Sequence, residues 1–166
     1  IAGFTGTLDG LGHTVNGMVI NLPGTASVGL IGTAGTGALN QNIGLLGGTT
    51  KGGAGTGALV GTGGTSTIYN SFATGNVMGA ASTGGLVGTM TTGSIKNSYA
   101  TGHVSNVSAA SVGGLLGSGT TGNIENSYAT GNVTGGAGAG GLIGALTSGN
   151  VTNSYAAGDV KGGAGT

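Results

Sequence analysis

The chain of 166 residues contains no cysteine, no tryptophan and no arginine, and it has one proline, three lysines and three acids. Without cysteine there is no disulfide framework, no cysteine zinc site and no thiol chemistry. A formal net charge of zero, with charged residues at 4% of the total, leaves nothing to neutralise a run of phosphates. Nucleic acid and anionic membrane surfaces are therefore excluded as partners. No apolar run approaches the ~20 residues of a bilayer span, so membrane insertion is not expected. Solvating disorder needs high charge and few apolar residues, whereas 37% of this chain is hydrophobic. One proline and irregular glycine spacing exclude a collagen helix. The chain begins at Ile1 with no leader ahead of it, and it reads as a piece of a longer product.

What is abundant is glycine, with 44 residues. Each costs a helix roughly 1 kcal/mol relative to alanine, so an all-β chain is expected. An internal repeat then sets the architecture. The run Ile68-Tyr-Asn-Ser-Phe-Ala-Thr-Gly-Asn-Val77 returns at Ile95 to Val104, Ile124 to Val133 and Val151 to Val160. A second motif interleaves with it: Gly57-Ala-Leu-Val-Gly61, Gly85-Leu-Val-Gly88, Gly114-Leu-Leu-Gly117 and Gly141-Leu-Ile-Gly144, with looser copies at Gly29 and Gly44. The two extra residues of one repeat fall in Ser105 to Val112, which reads as a loop.

A unit of roughly 27 residues with short strands, glycine corners and matching apolar columns predicts a parallel β-helix, or β-solenoid, in which each coil buries its inward side chains against its neighbours. Leu86, Leu115 and Leu142 form one column, Ile68, Ile95, Ile124 and Val151 a second, and Val77, Val104, Val133 and Val160 a third. Three columns imply three faces and about six coils, a rod roughly 29 Å long at ~4.8 Å per coil. The organisation read from this is one repeat segment, 1–166, with a lead-in coil over 1–28, a looser coil over 29–56 and regular coils over 57–166.

Strand alternation places Asn70, Asn97, Asn126 and Asn153 inward, as an amide ladder at a bend. Phe72, Tyr99, Tyr128 and Tyr155 read as a stacked aromatic column. Alternation within the short Gly-Leu-x-Gly strand, with Leu inward, either sends Val60, Val87, Leu116 and Ile143 outward as an apolar interface stripe or is broken by the glycine corners, which then twist the strand enough to bury both side chains.

The paired motifs, Gly-Leu-aliphatic-Gly and Asn-Ser-Tyr-Ala-Thr-Gly-x-Val, headed by Phe4-Thr-Gly-Thr-Leu-Asp-Gly-Leu-Gly-His-Thr-Val15, resemble the GLUG-type repeats of large bacterial surface proteins. Such repeats occur in filamentous-haemagglutinin-like adhesins, in related exoproteins and in non-catalytic regions of some surface peptidases. The resemblance implies a right-handed β-helix, extracellular or on the cell surface, used for adhesion or as a stalk. Leu11 departs from the common lead-in, where a second polar residue is usual.

Motifs for catalysis are sparse. Gly117 to Gly122 and Gly136 to Gly141 match G-x-G-x-x-G, but chance alone predicts roughly three such matches in a chain this rich in glycine. Asp9, Glu125 and Asp159 are the only acids, and they are not paired in sequence. His103 and Asp159 share a column with Asn76 and Asn132, two coils apart, too far for a direct hydrogen bond. His13 reads as a turn residue bonded to local backbone. No pattern calls for a cofactor or a metal. Asn106, Asn132 and Asn150 head N-glycosylation sequons. The file Thr74, Thr101 and Thr130 ends at Ala157, too short for a regular ice-binding array.

The expected function is a non-catalytic adhesin or exoprotein segment whose partner is a receptor or matrix on a host or neighbouring cell. The alternative is a structural subunit that self-associates into an extracellular fibre; ice binding and carbohydrate chemistry come third. Lys51-Gly-Gly-Ala-Gly-Thr56 recurs as Lys161-Gly-Gly-Ala-Gly-Thr166, which predicts further coils.

Overall fold

The computed structural model describes residues 1–106 and 111–163, and in these the chain is a stack of parallel strands with no helix. The aromatic column sets the period: Thr14, Gly44, Phe72, Tyr99, Tyr128 and Tyr155 are register partners in turn, at steps of 30, 28, 27, 29 and 27 residues. Six layers enclose five turns of about 28 residues, which is the β-solenoid expected from the repeat. The lead-in segment pairs in the same columns through Thr7–Asp9, Thr14–Asn16 and Val19–Asn21.

Each turn visits four sheets rather than three. A short sheet holds Thr56–Gly57, Thr83–Gly84, Val112–Gly113 and Ala139–Gly140. A long nine-stranded sheet follows, including Val87–Lys96 and Leu116–Glu125. Next comes an aromatic sheet with Phe72–Ala73, Tyr99–Ala100 and Tyr128–Ala129. The last is a valine sheet with Asn76–Gly79, Val104–Asn106 and Val133–Thr134. The fourth face lies where Thr56, Thr83, Val112 and Ala139 make an inward column of their own, a mixed polar and apolar file without the period of the other three.

Inside, the columns are dry. Leu59, Leu86 and Leu115, then Ile68, Ile95 and Ile124, then Val77, Val104 and Val133 are buried in register. Each such side chain contributes roughly 1.5–3 kcal/mol by burial. The glycine of the Ala-Thr-Gly corner has a steric cause. A Cβ at Gly102 would meet the carbonyl oxygen of Gly75, and one at Gly131 the carbonyl oxygen of Gly102, so this corner stacks only without side chains.

The outward stripe is a correction. Val60, Val87 and Leu116 are fully buried and Ile143 is half-buried and packed against the core. The reason lies in the backbone. Leu59 and Val60 both donate their N–H to the carbonyl of Leu86, Leu86 and Val87 both donate to Leu115, and Leu115 and Leu116 both donate to Leu142. Two successive N–H groups sharing one carbonyl, repeated at each level, mark a bend where the backbone is not extended; alternation is suspended there and both side chains turn inward at the corner between the short and long sheets.

Polar residues interrupt two of the apolar columns, Thr50 between Ile20 and Val77 and Asn40 between Leu8 and Ile68. Asn40 is the register partner of Ile68 and of Leu8, is completely buried, and neither its Oδ1 nor its Nδ2 has a hydrogen-bond partner. Two orphaned polar atoms in a dry column cost more than the apolar group found one coil further on. Replacing Asn40 by Leu is therefore expected to raise stability by about 1–3 kcal/mol in urea titrations. Leu115→Ala should lower it by about 2–5 kcal/mol. Leu116→Lys should abolish the folded state, whereas a wild-type melt for that variant would restore the exposed stripe.

Candidate functional site

The corner after the long sheet carries the polar signature of the repeat. Asn70, Asn97, Asn126 and Asn153 lie there at φ of 46, 50, 49 and 47°, in the left-handed region that asparagine tolerates better than most residues. Their side chains are exposed, so the expectation of an inward amide ladder is overturned. A left-handed residue interrupts the alternation. Ile95 points in, Lys96 and Asn97 point out, and Ser98 points in again. Asn42, at φ 54°, holds the same place one coil earlier and accepts from Asn70 Nδ2 at 2.7 Å.

The inward ladder is made by serine. Ser71, Ser98 and Ser127 are buried, and each donates its hydroxyl to the carbonyl two residues back, at 2.8, 2.7 and 2.8 Å. Each hydroxyl oxygen in turn accepts the backbone N–H of the preceding coil: Ile43 onto Ser71, Ser71 onto Ser98, Ser98 onto Ser127, at 3.2, 3.1 and 3.2 Å. Ser154 extends the series by accepting from Ser127. The signal in the sequence is the Asn-Ser dipeptide itself, a left-handed residue followed by the smallest side chain able both to donate and to accept.

The aromatic column sits on the outside of its sheet. Phe72, Tyr99, Tyr128 and Tyr155 stack with centroids 4.9, 4.8 and 5.2 Å apart and rings within 8° of parallel. At this spacing the inner rings, Tyr99 and Tyr128, are covered on both faces and show only their edges and hydroxyls, while Tyr155 at the end of the stack is exposed. Burial between its neighbours, and then the adjoining phenols of Tyr99 and Tyr155, push the Tyr128 phenol above its ordinary value.

The acids are dispersed. Asp9 accepts from Leu11 N–H, Gln41 Nε2 and Asn42 Nδ2 at 2.8, 2.7 and 3.0 Å. These bonds, that of Asn42 foremost, hold its carboxyl below the usual carboxylate range. Glu125 pairs with Lys96 at 3.1 Å. His13 closes the Asp9 turn through its backbone, donating N–H to the Gly10 carbonyl at 2.8 Å. Among the described residues, no three of His, Asp and Glu gather into a cluster that could hold a metal.

The valine sheet carries the richest outer surface. One outward file runs Val19, Thr49, Asn76, His103, Asn132 and Asp159. Its hydrogen bonds run along the rod: His103 N–H donates to Asn76 Oδ1, Asn132 N–H to His103 Nδ1, and Asp159 N–H to Asn132 Oδ1, at 3.0, 3.2 and 3.0 Å. Asparagine, histidine and aspartate can replace one another here because each presents an acceptor at the δ position. His103 and Asp159 are thus two rungs of a ladder with Asn132 between them. A second file, Asn21, Lys51, Met78 and Ser105, runs beside the first, and the two bound a trough of about 420 Å³.

Of the sequons, Asn106 is buried, and Val107 and Ser108 of that sequon lie outside the described residues. Asn132 and Asn150 are exposed. Thr74 and Thr101 are half-buried beside the aromatic stack and Thr130 is exposed.

Ser98→Ala should cost about 1–3 kcal/mol, because it leaves the buried N–H of Ser71 unpaired, while Asn97→Gly should be nearly neutral at its left-handed corner. Asp9 contributes stability above the ordinary carboxylate pKa that is lost as pH falls through its lower folded value, since its folded pKa is depressed. Denaturant melts of wild type and Asp9→Asn between roughly pH 5 and pH 2 should show a shallower acid dependence in the variant.

Residues 79–106, 108–134 and 135–161 each match the family described as the GLUG motif. Each match is one turn of the solenoid, the first running between the register partners Gly79 and Asn106. A stretch of 74 residues is 42% identical to halomucin of Haloquadratum walsbyi (strain DSM 16790 / HBSQ001). That similarity covers 45% of this chain and 1% of the relative, so the chain spans a very small part of the relative's length. No solved structure matches the chain. Three successive turns of the chain, over 79–161, are thus GLUG repeats.

Proposed function

We propose that the chain is a surface-exposed segment of a large extracellular or cell-surface protein, acting as a rigid, non-catalytic surface that adheres to a receptor or matrix. The observation that carries this reading is the coil-to-coil ladder system. Serine inside, backbone pairs around the turn and the Asn/His/Asp file outside join successive coils along the axis. Such a rod holds its outer side chains at fixed spacings, and among the described residues there is no lid or closing cleft. GLUG repeats and similarity to a segment of a protein named halomucin support a place in a surface protein. The dispersal of the acids supports binding without turnover: Asp9 is saturated by three donors and Glu125 is paired with Lys96.

Beads coated with the folded chain are expected to be retained on cell-surface or matrix preparations and to leave the glycans there at their original length. Leu116→Lys beads, which carry the unfolded chain, should not be retained. Equal retention of both, or retention of neither, would overturn the adhesive reading, and shortening of the glycans would overturn the non-catalytic one.

A further inference from the structure

The trough on the valine sheet has a polarity that the composition of the chain does not suggest. Its ladder bonds run in one direction: every ladder side chain between coils spends an acceptor on a backbone N–H of the next coil. Asn76 Oδ1 is taken by His103, which fixes the amide orientation and leaves Asn76 Nδ2 free to donate outward. His103 Nδ1 is taken by Asn132, which fixes the neutral tautomer with its proton on Nε2. Lys51 lies across the trough as the register partner of Met78, and its ammonium is a donor only. The one ion pair among the described residues, Lys96 with Glu125, belongs to a different sheet. The trough therefore presents donors from Asn76, His103 and Lys51, amide and hydroxyl groups of Asn21, Thr49 and Ser105 that can donate or accept, one positive charge and no acid, and apolar surface from Val19 and Met78, both exposed.

We infer that this trough binds an acidic polysaccharide along the rod, with Lys51 on the carboxylate of one sugar, the His103 Nε2–H, two coils further on, donating to another sugar of the same chain, and the apolar ring surface against Met78 and Val19. A set of donors with a single cation and no facing acid matches an acceptor-rich anion. A flat, partly apolar sugar ring fits a shallow trough better than a compact inorganic anion would. A neutral glycan leaves the ammonium without a counter-charge. The inference rests on the reading of this segment as a binding surface and names the chemistry of what it binds.

Titration calorimetry with oligogalacturonate tests it, with the methyl ester of the same oligomer as the neutral comparison. Wild type should bind the acid at least about tenfold more tightly than the ester, and the difference should shrink as salt is raised. Lys51→Gln should weaken binding of the acid about tenfold or more, and Lys51→Arg should keep it. His103→Asp keeps an acceptor at the δ position for the Asn132 N–H while setting a carboxylate in the trough. It should abolish binding with an unchanged melting temperature. Equal affinity for acid and ester, or full binding by both Lys51→Gln and His103→Asp, would overturn the proposal. Wild-type beads that adhere to cell surfaces without binding the acid would overturn the proposal and leave the adhesive reading standing.

Discussion

The structure depends on one constraint: each residue of a coil hydrogen-bonds to its counterpart in the next, about 4.8 Å along the axis. In such a stack a side chain is never alone, because it sees copies of its own position above and below. An inward group sits there without penalty if it is apolar or if its polar atoms find partners in its own coil or column, as the Thr56 and Thr83 hydroxyls do on the Gly53 and Ala80 carbonyls. Serine meets this at Ser71, Ser98 and Ser127, where the hydroxyl hydrogen goes to its own coil and the oxygen receives the N–H of its neighbour. Asn40 shows what happens when a polar side chain enters a column whose other members are Leu8 and Ile68. Neither neighbour can answer its amide, and both polar atoms are stranded.

The same constraint acts differently on the outside. An outward acceptor that spends itself on the next coil ties the layers together without burying anything, and water stands in wherever the file ends. The file through Asn76, His103 and Asn132 thus stiffens the rod and at the same time gives its surface a sign, since consumed acceptors leave donors showing. A chain with 4% charged residues gains an electropositive trough from hydrogen-bond direction and one lysine. Net charge says nothing about such a local field.

The period, the parallel stacking and the three apolar columns were legible because Ile68, Val77, Leu86 and their copies recur at one spacing, and a buried column needs little else. Two side-chain directions were not legible by alternation. Asn97 turns outward because its φ is positive, which shifts the phase so that Ser98 becomes the inward residue. Val87 turns inward because its N–H and that of Leu86 share one carbonyl. Period-2 reasoning assumes extended backbone throughout, and both failures occur at corners where the backbone is not extended. The residue types did carry a hint, as asparagine before serine and paired glycines around Leu-Val are the marks of left-handed and bent backbone. The fourth sheet was hidden because its column, Thr56, Thr83, Val112 and Ala139, changes character from coil to coil.

Uniformity also decides where a solenoid can be selective. Columns that repeat faithfully, such as the tyrosine stack, present the same edges at every level and cannot distinguish one position along the rod from another. Recognition belongs where the repeat departs from itself. On the valine sheet the two outward files read Val19 and Asn21, Thr49 and Lys51, Asn76 and Met78, then His103 and Ser105 in successive coils, so that apolar, cationic and donor groups alternate along four levels. Further along the same files come Asn132 with Thr134, and Asp159 with Lys161 two residues away on one coil. There the opposite charges offset each other, and the aspartate faces any anion that approaches. The cationic character is therefore confined to the first four coils, not because the fold changes but because the ladder tolerates aspartate at a rung where histidine stands two coils earlier.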